Sequence, residues 1–111
     1  MSTEIAQRYF DTWNAHDVAG LRALFADDVT LRDWDVEVQG AATVAEANGN
    51  IFTAVPGIVI EVLTMHPSPS TNSVVCEILV KLNNDTADVL KVVDILEFDG
   101  SKIKHIRAFK G

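Results

Sequence analysis

The chain has 111 residues, 48% hydrophobic and 23% charged, which suits one domain with a real core (residues 1–111) and leaves no room for two. A formal charge of −7, with nine Lys plus Arg, argues against nucleic acid or an anionic membrane as partner, since both call for a basic face. The one cysteine, Cys76, excludes an internal disulfide, and no Cys or His pair has structural-zinc spacing.

The N-terminal MSTEIAQRYF has no basic start running into an apolar stretch, and no segment is long enough to span a bilayer. The expectation is a soluble, unprocessed, cytoplasmic protein. Ile5, Tyr9 and Trp13 recur every four residues with Ala6 and Phe10 beside them, predicting an amphipathic first helix. Asn14-Ala15-His16-Asp17 interrupts it, and Asp17 can cap a second helix carrying Val18, Leu21, Leu24 and Phe25 on one face until Asp27-Asp28 closes it. Residues 29–34 alternate as a short strand with Val29, Leu31 and Asp33 on one side. After Gly40, the spacing of Thr43 and Glu46 predicts a capping box opening a third helix, rich in small residues, that Pro56-Gly57 must end.

The second half reads as strands over residues 58–65, 74–82, 87–98 and 103–109. Turn signals separate them at Pro67-Ser68-Pro69-Ser70, Asn83-Asn84-Asp85 and Asp99-Gly100, the last predicting a tight hairpin. Short connections favour antiparallel neighbours. The predicted fold is α+β: three N-terminal helices packed on a curved, mostly antiparallel sheet, cone-shaped and barrel-like, enclosing a pocket.

Three side chains break this pattern. Counting by two along LKVVDILEF in the penultimate strand, Leu90, Val92, Leu96 and Phe98 share a face with Asp94, leaving one carboxyl in an apolar row. Desolvation disfavours a carboxylate, so Asp94 is expected to stay protonated and able to donate a hydrogen bond. Asp33 lies nearer a strand end, where partial solvation keeps it ionised and able to accept a proton. Tyr9, in the inward stripe of the first helix, brings a phenol that needs a partner if buried. Each has a plainer reading when taken alone: a core acid satisfied by backbone, a core aromatic, a turn-starting aspartate. Together they suit proton transfer next to a carbonyl, with one base and two donors for the developing oxyanion, and neither metal nor organic cofactor is called for. Apolar walls would suit a small hydrophobic carbonyl compound, and no glycine-rich phosphate loop is present.

The stretch QRYF…NAHDVAGLRALFADDVTLRD, followed by VVDILEFDG and IRAF, resembles the bacterial Δ5-3-ketosteroid isomerases, within the wider superfamily of nuclear transport factor 2-like and SnoaL-like proteins. The resemblance implies a steroid-like substrate, a homodimer, Asp33 as base, and Tyr9 with protonated Asp94 as oxyanion hole. The neutral state of Asp94 is thus implied by that family as well as by burial. Two positions depart from the family: Trp34 follows Asp33 where a Pro is usual, and Asn48 stands where the third helix tends to carry a Tyr supporting the oxyanion donors. The alternatives are a SnoaL-like polyketide cyclase or hydrolase using Asp33, and a non-catalytic module that binds a hydrophobic ligand.

The other candidates are weaker. His16 reads as a solvated loop residue, His66 as a strand-end residue, and His105, grouped by alternation with Ile103, Arg107 and Phe109, as either cavity-facing or paired with an acid. Cys76 reads as core. Arg32 alternates away from Asp33, against an epoxide-opening Asp-Arg-Asp set. Trp13 and Trp34 read as packing or interface residues. Val59, Leu63, Val75 and Leu79, interspersed with Glu61, Glu77 and Lys81, would suit a dimer contact.

Overall fold

Residues 2–83 and 88–111 are described by the computed structural model. Three helices, α1 (Ser2–Asn14), α2 (Val18–Leu24) and α3 (Ala41–Ala54), precede or interleave with β1 (Phe25–Arg32) and β2 (Glu37–Gln39). A meander of β3 (Val59–Ser68), β4 (Ser73–Lys81), β5 (Val89–Asp99) and β6 (Lys102–Lys110) follows. The sheet order is β2-β1-β6-β5-β4-β3, with every neighbouring pair antiparallel except β1 and β6. The expected α+β arrangement is therefore present, with an open sheet edged by β2 and β3 in place of a closed barrel.

The apolar stripe of α1 does what its spacing predicts, burying Ala6, Tyr9, Phe10 and Trp13. Phe10, Leu21, Leu96, Ile103 and Ile106 are almost completely withdrawn from water, and each such side chain contributes roughly 2–3 kcal/mol by burial. Asp17 caps α2 by accepting from the Gly20 N–H at 2.9 Å. Small residues matter in α3 because a Cβ on Gly49 would come within 3.2 Å of Val18, so the glycine lets α2 and α3 approach.

Several local expectations give way to tertiary pairing. Helix α2 stops at Leu24, and Phe25 turns to extended backbone because it joins β1 and pairs with Ile103. The Thr43/Glu46 capping box is not used: α3 starts at Ala41 behind Gly40, whose φ of 100° swings the chain out of β2 while its N–H donates to the Val29 carbonyl at 2.7 Å. Strand β2, only three residues long, had no sequence signal. Pro67 belongs to β3, an edge strand where a missing N–H is tolerated, and the turn falls at Pro69–Thr71 with Asn72 left-handed. The Asp99-Gly100 hairpin forms, with Asp99 paired to Lys102 and Gly100 at φ 60°. Of the Asn83-Asn84-Asp85 turn and the strand start at Ala87, residues 84–87 lie outside the described residues.

The corner between α1 and α2 is fastened to the free edge of β3. Asn14 donates through Nδ2 to the Ile60 carbonyl at 2.8 Å and accepts the Ile60 N–H on Oδ1 at 2.7 Å, completing a ladder rung that no strand supplies. Beside it, His16 Nε2 donates to the Ile58 carbonyl at 2.7 Å while the ring stacks on Phe52 at 4.3 Å. His16 is thus a half-buried tie and not the solvated loop residue expected, because the left-handed turn at φ 55° directs it inward. On the opposite, outer face of the sheet, Glu61–Lys81, His66–Glu77 and Glu97–Arg107 pair across strands, and Leu63 and Phe109 stand exposed. No helix among the described residues is long and apolar enough to cross a membrane.

Because Asn14→Ala strips two backbone groups of their partners, urea unfolding should register a loss of about 2 kcal/mol. A variant within about 0.3 kcal/mol of wild type would show that the rung carries no stability.

Candidate functional site

The site grows from α1, β1 and β5. Tyr9 comes from the buried stripe of α1 and is 3% exposed; Asp94 comes from the middle of β5 and is 6% exposed. On the sheet, Asp94 is flanked by Cys76 of β4 and Ala108 of β6, two small side chains that leave its carboxyl unscreened from the space above. Asp33 lies one residue beyond the end of β1. There the plainer turn reading holds as well: its Oδ1 accepts the N–H groups of Asp35 and Val36, both at 2.7 Å, and its own N–H donates to the Val36 carbonyl at 2.9 Å. That turn fixes the carboxylate and leaves Oδ2 without a hydrogen-bond partner among the described residues.

All three side chains line one cavity of about 370 Å³ between the helices and the inner face of the sheet. Its volume lies at the lower end of the roughly 300–1,000 Å³ of small-molecule sites. Leu31, Ile51, Val55, Ile60, Val80 and Val92 supply much of its wall.

Burial, and secondly the Asp33 carboxylate, push the pKa of Asp94 up to about 7. Tyr9 is raised well above the ordinary phenol value, first by burial, then by Asp94 and by Cys76, so its hydroxyl keeps its proton. Cys76 is pushed up to about 12 by burial and by Asp94, which makes it an inert thiol in the floor beneath the carboxyl. Neither the Tyr9 hydroxyl nor the Asp94 carboxyl has a hydrogen-bond partner among the described residues, yet no fully buried side-chain nitrogen or oxygen is left unsatisfied, so both open onto the cavity. A phenol, a carboxyl whose pKa is raised to about 7 and a second carboxyl anchored by its turn therefore face the same apolar space.

Three more residues, two of them the positions already noted after Asp33 and on the third helix, also line the cavity. Trp13 donates its indole N–H to Asn48 Oδ1 at 2.9 Å, Asn48 Nδ2 donates to the Val44 carbonyl at 2.9 Å, and Trp34 forms part of the rim, 42% exposed with Lys110 Nζ 5.3 Å from its ring centre. The signal available for Asn48 was its place in the buried row Val44, Asn48, Phe52 at helical spacing. His105 lies outside the cavity and shares a 2.6 Å hydrogen bond with Thr30. Its expected grouping with Ile103 fails because a register shift beside Lys104 breaks the alternation, turning Ile103 and Ile106 inward and His105 outward. His66 is exposed and bonded to Glu77. Among the described residues, no group of three or more His, Cys, Asp or Glu is placed to hold a metal.

A SnoaL-like domain matches residues 6–106, nearly the whole chain. The chain belongs to the SnoaL-like domain family. No curated protein matches it. Among solved structures, this SnoaL-like domain is similar to a cystatin-like-fold protein of unknown function from Methylobium petroleophilum. The TM-score is 0.87 at 22% identity, over 99% of this chain and 75% of that one. It is also similar to a candidate ketosteroid isomerase from Kribbella flavida (TM-score 0.82, 21% identity, 99% and 77% covered). A third is a candidate polyketide cyclase from Sinorhizobium meliloti (0.83, 17%, 95% and 93%). At these identities the shared property is the fold.

The SnoaL-like site has a signature in stability. An acid whose folded-state pKa exceeds its unfolded value binds its proton more tightly when folded; the contribution of Asp94 is complete below about pH 4 and is lost as pH rises towards about 7. The loss is on the order of 4 kcal/mol. The Tm of wild type should fall more steeply between pH 4 and 8 than that of Asp94→Asn, and parallel curves would contradict a buried, protonated Asp94.

Proposed function

We propose that this SnoaL-like domain is a cofactor-independent isomerase that moves a proton between the α and γ carbons of an unsaturated ketone, in the manner of a steroid Δ-isomerase. The observation that supports it is the meeting of Tyr9, Asp33 and Asp94 in one apolar cavity, with Asp94 raised to a pKa of about 7. The Asp33 carboxylate takes the α proton, the C–H electron pair moves into the carbon framework, and negative charge gathers on the carbonyl oxygen. Tyr9 and protonated Asp94 donate hydrogen bonds to that oxygen, and they strengthen as it becomes charged. Asp33 then returns the same proton to the γ carbon, so the double bond moves into conjugation with no net change in charge or oxidation state. The Asx turn that ties down Asp33 Oδ1 keeps the base in place for both transfers.

The substrate reading is a small hydrophobic carbonyl compound, with a ketosteroid as the first candidate. The assay is the appearance of the conjugated enone from 5-androstene-3,17-dione and from the compact 3-cyclohexen-1-one. Asp33→Asn should lower kcat by about 10²–10⁴-fold while leaving KM within a few-fold. Wild-type turnover by Asp33→Asn would defeat the assignment. Saturable binding of both ketones without turnover by wild type would favour the cyclase, hydrolase or binding-module readings.

A further inference from the structure

Asn48 is 4% exposed, sits on α3 and lines the same cavity as Tyr9 and Asp94. Its orientation follows from chemistry alone. An indole nitrogen can only donate, so the group 2.9 Å from Trp13 Nε1 must be the amide oxygen. The amide nitrogen therefore points the other way, where one hydrogen goes to the Val44 carbonyl at 2.9 Å. An amide nitrogen carries two hydrogens. No acceptor for the second exists among the described residues, and a buried donor of this kind is usually matched by a partner.

We infer that Asn48 is a specificity-determining residue: its free amide N–H, locked in direction by Trp13, recognises a second hydrogen-bond acceptor on the substrate, so the ligand is a ketone with a second carbonyl or ether oxygen. This rests on the proposed reading of the site, in which the first oxygen lies between Tyr9 and Asp94. Trp13, which fixes the direction of the Asn48 amide, follows Tyr9 by four residues on the inward stripe of α1, about 6 Å along the axis, so both donor positions face the same cavity of about 370 Å³. A site that holds a buried donor also discriminates: a ligand with a methyl or methylene in place of the second oxygen leaves the amide N–H unpaired in an apolar space, which costs more than the missing bond itself.

The experiment is a binding cycle with two phenols of similar shape as mimics of the charged intermediate, 4-hydroxyacetophenone, which carries the second oxygen, and 4-isopropenylphenol, which does not. Isothermal titration is made on wild type, Asn48→Ala, Asn48→Asp and Tyr9→Phe. Asn48→Ala should weaken 4-hydroxyacetophenone about tenfold, or about 1.4 kcal/mol, and 4-isopropenylphenol less than about twofold. Asn48→Asp keeps an oxygen for the Trp13 indole and removes the donor, so it should abolish the same preference should the alanine variant fail to fold. Equal losses for both phenols at position 48, or wild-type preference in Asn48→Asp, would overturn the second-acceptor inference alone. If Tyr9→Phe leaves both affinities unchanged, the underlying reading of the site falls, and the inference falls with it.

Discussion

The central constraint is the desolvation of one carboxyl. Asp94 sits in the middle of a strand whose inward neighbours Val92, Leu96 and Phe98 are buried, under a helix that contributes Tyr9, Phe10 and Trp13. Burial favours the neutral form of Asp94, and a second acidic residue, Asp33, on the same cavity pushes further in that direction. The two aspartates thereby sit in opposite surroundings: one is partly exposed and tied to backbone N–H groups, the other is buried with its pKa raised to about 7. Nothing in the residue type distinguishes them.

The rest of the architecture serves to keep that arrangement. Cys76 and Ala108 are small enough to leave the Asp94 carboxyl open to the cavity, where larger neighbours would cover it. The Asn14 rung and the His16 tie clamp the α1–α2 corner onto the edge of β3, which sets the height of Tyr9 and Trp13 over the sheet. Gly40 turns the chain so that α3 can bring Asn48 against Trp13. Trp34 and Asn48 also line the cavity. They are therefore placed to shape what fits beside Tyr9, Asp33 and Asp94.

Much of this was legible in the chain itself. The four-residue recurrence of Ile5, Tyr9 and Trp13 gave α1 and its inward face, and period-two counting put Asp94 on the buried side of β5, because both elements are regular over their whole length. Where regularity fails, so does the counting: the bulge beside Lys104 separates His105 from Ile103, and pairing with Ile103 drew Phe25 out of α2. The pairing of Trp13 with Asn48 was hidden for a different reason. An indole and an amide at core positions 35 residues apart read as packing until the fold brings them to 2.9 Å. The Asx turn at Asp33 was visible as a possibility, but only its coexistence with the cavity shows that a turn residue and a cavity carboxylate are the same group.

The most direct measurement is a carbon-13 carboxyl NMR titration of the aspartates, with Asp94→Asn to assign the resonance and Asp33→Asn to remove the neighbouring charge. Asp94 should titrate at about 7, and at a lower pH once Asp33 is neutralised. A resonance for Asp94 that titrates near the ordinary carboxyl value of about 4, or that ignores the state of Asp33, would contradict a dry proton donor sharing its cavity with a base.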